Sequence, residues 1–168
     1  MNYKFCSNCK ASLKEREGLF ECILCGMKIF KNSAPTATVI PIKNGKILMS
    51  RRAVEPGKGK YDLVGGFLDN GEHPEGGAVR EAKEETELDI KPLHLVGVYI
   101  GDYEYQGTRF KTLNFYYVAK IIGGKMKPHD DVESLFWIPI NKIPTKNLAF
   151  EHQIRVFKDF KKWYKTKK

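Results

Sequence analysis

No stretch of the chain approaches the roughly 18–20 apolar residues needed to cross a bilayer. The opening residues, Met1-Asn2-Tyr3-Lys4-Phe5-Cys6, hold no long apolar run that could serve as an export signal. A soluble, cytoplasmic chain with no membrane partner is therefore expected. Cysteine is missing after position 25, internal repeats are missing throughout, and acidic residues are outnumbered, 20 against 29 basic ones, for a formal charge of +9. The surplus is uneven: residues 158–168 carry six lysines and one aspartate. A lysine-rich tail reads first as a solvated helix end and second as an RNA-binding arm, and a positive surface also favours capture of small anionic substrates. What is present suits one ordinary domain with a small appendage: 168 residues, 42% apolar and 12% aromatic, enough for a core of normal size.

All four cysteines lie near the N-terminus, as Cys6-Ser7-Asn8-Cys9 and Cys22-Ile23-Leu24-Cys25. Two such pairs, twelve residues apart, can put four thiolates tetrahedrally around one zinc ion. Gly26 suits the tight turn of the second knuckle, and residues 13–21 can form a small hairpin between the pairs. Two disulfides are the alternative, and they fit poorly with a chain lacking export signals. Four cysteines describe a closed, structural Zn²⁺ site, since catalytic zinc keeps an open position. A segment this short has too little core to fold alone, so the metal should hold it together. Zinc on four thiolates would also lower the true charge by about 2. The expected units are a zinc ribbon over 1–33 and a larger domain over 34–168.

After Asn32-Ser33-Ala34-Pro35 the pattern changes to strands and turns. Strands are expected over 36–42 and 46–51, joined by an Asn44-Gly45 turn. Residues 52–60, with Pro56, Gly57 and Gly59, read as a loop, and 61–67 as a short apolar strand ending in Gly65-Gly66. A helix follows over about 74–86, then strands over 93–100, 111–122 and 134–140. A last helix over about 147–164 aligns Phe150, Ile154, Phe157, Phe160 and Tyr164 as a core stripe. Strands on both sides of a central helix, closed by a final one, describe an α/β or α+β sandwich around a mixed sheet.

The chemistry concentrates on the first of those helices. Glu81, Glu84 and Glu85 stand at i, i+3 and i+4, so they leave one helical face within a turn. Like charges so placed repel unless a cation lies between them, and hard carboxylate oxygens suit Mg²⁺ or Mn²⁺, which also binds substrate phosphates. Taken alone, three glutamates read first as a solvated acidic face balanced by Arg80 and Lys83.

The longer pattern decides between these readings. Gly66, five residues, Glu72, seven residues, then Arg80-Glu81-Ala82-Lys83-Glu84-Glu85-Thr86-Glu87-Leu88 resembles the Nudix box, matching six of its seven fixed residues. The resemblance implies a Nudix-type α/β/α sandwich and a metal-dependent hydrolase of pyrophosphate bonds in small nucleotide substrates. It makes Glu81, Glu84 and Glu85, with the Gly66 carbonyl, the Mg²⁺ or Mn²⁺ ligands, and Arg80 and Glu72 the pair that orients them. It implies attack of a metal-activated water on phosphorus, with Glu81 or an acidic residue before a later strand as base. Six residues before Trp137 that residue is Asp131, and Glu133 competes with it. Two positions depart from the family. Glu87 takes the place of the box glycine, at a cost of about 1 kcal/mol if the backbone there is left-handed, or else the helix runs on. Val64 replaces a proline usual before the paired glycines.

A zinc ribbon ahead of the box is similar to the NADH pyrophosphatase group and to relatives acting on ADP-ribose or FAD. Residues 99–109 lack the Ser-Gln-Pro-Trp-Pro-Phe-Pro motif of the NADH enzymes, so ADP-ribose- or FAD-like substrates are favoured. Tyr103, Tyr105 and Phe110 could stack a planar ring. Arg51 and Arg52 could bind phosphates, though by strand alternation only one can face a cleft. His73, His94, His129 and His152 form no cluster and are read as surface. Two other functions compete. One is removal of a nucleotide cap from RNA, which predicts aromatic or basic residues on the ribbon's exposed face. The other is a non-catalytic regulator, which would be expected to lose some of the clustered glutamates, and none is lost. Dimers are frequent among similar proteins, so a homodimer is admissible.

Overall fold

The computed structural model describes residues 3–167. Its N-terminal part is a three-stranded antiparallel sheet in the order β1 (Leu13–Arg16), β2 (Leu19–Cys22), β3 (Lys28–Phe30). The expected hairpin is β1–β2, and the chain leaving the second cysteine knuckle adds β3 to it. Phe20, Cys6 and Cys22 are the buried apolar side chains of this sheet. That is too little apolar burial to hold the segment without a further cross-link.

The body comprises β4 (Ala34–Lys43), β5 (Lys46–Arg52), β6 (Tyr61–Asp62), β7 (Val64–Phe67), α1 (Pro74–Thr86), β8 (Leu88–Tyr105), β9 (Thr108–Gly124), β10 (Val132–Pro139) and α2 (Gln153–Lys165). Its seven-stranded sheet runs β10-β5-β4-β9-β8, with β6 on β5 and β7 on β4. The β4–β9 pairing is parallel and the others are antiparallel, so the sheet is mixed.

Period-two alternation along the strands sorts the core into two layers. Ile40, Ile47, Met49, Tyr116 and Val118 face α2 and pack with its Val156, Phe157 and Phe160. Ala37, Val39, Leu48, Tyr117 and Ala119 face the other way and pack with Ala78 and Ala82 of α1. The result is an α/β/α sandwich of mixed α+β type. Among the described residues no helix is long and apolar enough to cross a membrane.

The strand expected over 61–67 is divided into β6 and β7, and three further elements differ from the sequence expectation. Strands β8 and β9 extend well beyond 93–100 and 111–122 into one long hairpin, whose outer part carries the cross-strand ion pairs Asp102–Lys111 and Glu104–Arg109. Polar pairs of this kind support a strand that apolar periodicity does not mark. Helix α2 starts at Gln153, not near 147. Asn147 has a left-handed φ of 61°, and Tyr61 exchanges backbone hydrogen bonds with Asn147 O and Ala149 N. This holds Leu148 beside β6 as an isolated bridge to Tyr61 and takes Phe150 out of the helical stripe.

Candidate active site

Strand β7 and helix α1 meet at the paired glycines. A Cβ on Gly65 would lie 2.3 Å from Ala37 O, and one on Gly66 would lie 2.6 Å from Glu81 Oε1. Only bare backbone lets β7 run this close to β4 on one side and to a carboxylate on the other. The helix opens with His73 as N-cap, its Nδ1 accepting from Glu75 N, and Pro74 in the first turn. One turn before its end come Glu81, Glu84 and Glu85. The Glu85 carboxylate is buried and accepts from Gly65 N at 2.9 Å, Glu81 is largely buried against Gly66, and Glu84 is exposed.

Arg80 organises these groups. Its Nε and Nη2 donate to the two oxygens of Glu72 at 2.9 and 2.8 Å, and Nη1 donates to Glu81 Oε1 and Glu84 Oε2 at 2.8 and 2.9 Å. Nη2 also reaches Phe67 O at 3.0 Å, which ties the helix to the end of β7. The bidentate hydrogen bond from Arg80 holds the Glu72 carboxyl down at about 2. Burial, with Glu84 and Asp130 adding their charge, pushes the Glu81 carboxyl up despite Arg80. Burial pushes Glu85 well above the usual carboxylate range, with Asp62 and Glu81 adding to it against the Gly65 N–H. Crowded, desolvated carboxylates of this kind are relieved by a divalent cation, and all the donors are hard oxygens. The residues therefore fit Mg²⁺ or Mn²⁺. Among the described residues only the four cysteines form a set of possible ligand atoms all within 4.8 Å of one another, so the glutamate oxygens are spread wider, fanned around the Arg80 guanidinium.

Beside Gly65–Gly66 opens a cleft of about 550 Å³, its mouth included. Its inner end is polar and buried. Arg52 Nη1 pairs with Asp62 Oδ2 at 2.8 Å, Gln153 Nε2 donates to Asp62 Oδ1 at 2.5 Å, and Arg52 Nε donates to Pro56 O at 2.8 Å. The side-chain amide oxygen of Gln153, Oε1, is buried without a hydrogen-bond partner. The mouth is aromatic: Tyr103 stands 5.3 Å from Phe67 edge-on and stacks on Phe150 at 5.9 Å, and the Arg52 guanidinium lies over the Phe150 ring at 5.4 Å.

The sequence-level candidates divide around this cleft. Arg52, Tyr103, Gly66 and Asp131 line it. Arg51 points away, donating to Gly59 O and lying over Tyr61, as strand alternation requires of one of the pair. Tyr105 is exposed near the far tip of the β8–β9 hairpin, and Glu133 is exposed on a bulge of β10. Asp130, next to Asp131, acts electrostatically on Glu81. Sequence reasoning missed Asp62, Gln153, Phe150 and His152. A lone carboxylate in the apolar run Tyr61–Val64 was a readable signal for the first, because a buried acid needs a partner. His152 is not a surface group: its Nε2 meets Tyr116 OH at 2.8 Å, and burial lowers its pKa to about 4.

At Glu87 the helix stops. The backbone takes the left-handed φ of 59° usually left to glycine, and its N–H caps Lys83 O. The strain of about 1 kcal/mol is therefore incurred.

In the N-terminal sheet the sulfurs of Cys6 and Cys25 lie 3.7 Å apart and those of Cys9 and Cys22 3.4 Å apart. Disulfide sulfurs would be at about 2.05 Å. Tetrahedral zinc with bonds of about 2.3 Å separates its sulfurs by about 3.8 Å. The four thiols could thus hold one zinc ion.

The model of the NUDIX domain matches residues 32–160. The chain belongs to the Nudix family. It is therefore a hydrolase, and the segment with the four cysteines precedes the matched residues. The chain is 34% identical over 136 residues to an ADP-ribose pyrophosphatase of Methanocaldococcus jannaschii, covering 81% of this chain and 78% of that one. It is 27% identical over 146 residues to the NAD-capped RNA hydrolase NudC of Pseudomonas aeruginosa, covering 84% of this chain and 49% of that protein, about half its length. A Nudix hydrolase from Nitrosomonas europaea superposes with a TM-score of 0.77 at 25% identity, over 97% of this chain and 91% of that one.

Proposed function

We propose that this Nudix protein is a metal-dependent pyrophosphohydrolase that cleaves a nucleoside diphosphate joined to a second moiety, of the ADP-ribose or FAD kind. The observation that carries this reading is the adjacency of two half-built sites: the buried, crowded carboxylates of Glu81 and Glu85 at Gly65–Gly66, and the aromatic-mouthed, polar-floored cleft beginning at those same glycines. Glu81, Glu84, Glu85 and the Gly66 carbonyl would hold Mg²⁺ or Mn²⁺, which, when bound, polarises phosphoryl oxygens and lowers the pKa of a water. Phe67, Tyr103 and Phe150 offer a planar ring a stacking wall. Arg52, anchored on Asp62, supplies fixed positive charge close to the diphosphate. Asp131 accepts the proton of the attacking water, with Asp130 beside it. Arg80 and Glu72 hold the helix face in register. The identity with the Methanocaldococcus jannaschii ADP-ribose pyrophosphatase supports the substrate class, as does the missing NADH motif.

The test is turnover of ADP-ribose, FAD, NADH, diadenosine polyphosphates and capped RNA, with Mg²⁺ and with chelator. Magnesium-dependent release of a nucleoside monophosphate from ADP-ribose or FAD is expected, and it should vanish in Glu84→Gln and Glu85→Gln variants that stay folded. Full turnover in either variant, or none of any substrate by the parent chain, overturns the reading.

One observation favours removal of RNA caps as a second reading. The ribbon exposes Phe5 and Phe30, with relative exposures of 67% and 62%, among the exposed Lys4, Lys10, Lys14 and Lys28. Exposed aromatic rings and lysines of this kind can stack bases and meet phosphates. If it does, affinity for capped RNA falls steeply with salt and drops in Phe5→Ala.

A further inference from the structure

The chain between β9 and β10 hangs on the end of α1. Lys127 N donates to Thr86 O and His129 N donates to Glu85 O, both at 3.0 Å, so two carbonyls left over at the helix terminus are satisfied by this loop. At its other end Ala53 N donates to Asp131 O at 2.8 Å. Between these anchors sit Asp130, in a left-handed conformation at φ 52°, and Asp131, on the wall of the cleft. The loop that brings acidic groups to the site is thus strung between the metal-binding helix and β5.

Glu87 adds a side-chain clasp to that loop. Its Oε1 meets His129 Nε2 at 2.6 Å and Lys127 Nζ at 3.7 Å. The helix stop itself needs no carboxylate, since glycine would cap the helix with less strain at the observed φ of 59°. A plain surface ion pair would be indifferent to catalysis. This pair, however, joins the residue two places after Glu85 to the residue just before Asp130, with both backbones already hydrogen-bonded.

We infer that Glu87 is a positioning residue, and that its bond to His129 sets the 125–131 loop so that Asp130 and Asp131 stay in register with Glu81 and the cleft. The inference rests on the reading of that loop as a source of the acidic group acting on water. The probes are ADP-ribose with Mg²⁺ and backbone hydrogen exchange, in the full chain with Glu87→Gly, Glu87→Gln and His129→Ala.

Glu87→Gly should leave the fold intact and lower kcat by about tenfold to a hundredfold, the size expected of a small misplacement, while KM moves by less than about twofold. Glu87→Gln keeps an acceptor for the imidazole and should restore kcat. His129→Ala should match Glu87→Gly, and the double variant should be no worse than either single one. The amides of Lys127 and His129 should exchange faster in Glu87→Gly. Unchanged kcat in Glu87→Gly, or losses that multiply in the double variant, overturn the inference. If Asp130→Asn and Asp131→Asn both keep full kcat, the catalytic reading of the loop falls instead, and the exchange rates alone then decide the clasp.

Discussion

Acidification from pH 7 to 5 should destabilise this fold through His152, a residue outside the glutamate motif. The ring lies between Phe150 and Tyr116, at centroid distances of 5.8 Å to each, and its Nε2 is bonded to Tyr116 OH. Burial holds its pKa at about 4, with the charge of Asp102 as a weaker opposing influence. In the unfolded chain the value returns to about 6.5. Between these limits the unfolded state binds a proton that the folded state refuses, so stability rises with pH across the window and falls as pH drops below 6.5. At the full slope of about 1.4 kcal/mol per pH unit, integration from pH 7 to 5 gives close to 2 kcal/mol, and about 1–2 after discounting for the ring's residual exposure. That is roughly 2–4 °C per kcal/mol in Tm for a chain of this size. The assay is thermal or urea unfolding at pH 5, 6 and 7 for the parent and for His152→Gln, which keeps a hydrogen-bonding group but cannot titrate in this range. Titration of the other histidines cancels in the comparison. The parent should lose more stability than the variant on acidification. Parallel pH profiles, or an imidazole pKa above 6 by NMR, would refute the reasoning.

Three further outcomes follow from contacts at the site and in the ribbon. Gly66→Ala should keep the fold, because its new Cβ meets only the flexible end of Glu81, but displacing that carboxylate should cost on the order of a hundredfold in kcat/KM, measured beside an unchanged circular dichroism spectrum. Arg80→Lys loses the fork that spans Glu72, Glu81 and Glu84; kcat/KM should fall by about a hundredfold and acid tolerance should shrink, since the stability held in Glu72 is present above pH 4.5 and is lost as pH falls through about 2. Cys22→Ser should abolish zinc content, measured by atomic absorption, and open residues 3–31 to proteolysis, while ADP-ribose turnover by the body persists.

How far the site could be read in advance depends on whether its contacts are local. The i, i+3, i+4 glutamates, the bridging Arg80 and the two cysteine knuckles are written in short spacings; in the fold the cysteines gather as one cluster, while Glu81 and Glu84 share Arg80 Nη1 and Glu85 turns to Gly65 N. The cleft is assembled from longer range. Phe150 has the spacing of a helical core residue with Ile154 and Phe157, and only the backbone bonds from Tyr61 to 147–149 withdraw it from the helix and turn it to the mouth. Alternation says that Arg51 and Arg52 face opposite ways but not which faces the cleft; Asp62, on the strand paired with β5, settles it. Glu87 is the instructive case. A motif glycine replaced by glutamate looks like a defect until the β9–β10 loop, some forty residues later, supplies its histidine partner.

The two sets of side chains proposed as metal ligands differ in how the polypeptide holds them. The thiols meet where two knuckles and three short strands come together, at sulfur separations near those of a zinc tetrahedron. Little else is buried there, so a zinc ion on the four thiols would make the folding of this segment and its occupancy one equilibrium. The glutamates behave oppositely. Helix α1 is secured by its packing on the sheet, and its acidic face is neutralised in part by a built-in cation, Arg80, whose Nη1 is shared by Glu81 and Glu84 while its other edge grips Glu72 on both oxygens. A divalent ion bound as proposed would compete with Nη1 for Glu81 and Glu84 but not with the edge held by Glu72, so the helix would exchange one cation for another without losing its anchor. A structural site must not let go of its metal, whereas a catalytic one must tolerate its coming and going, and on the proposed reading the placement of Arg80 would give the glutamate site that tolerance.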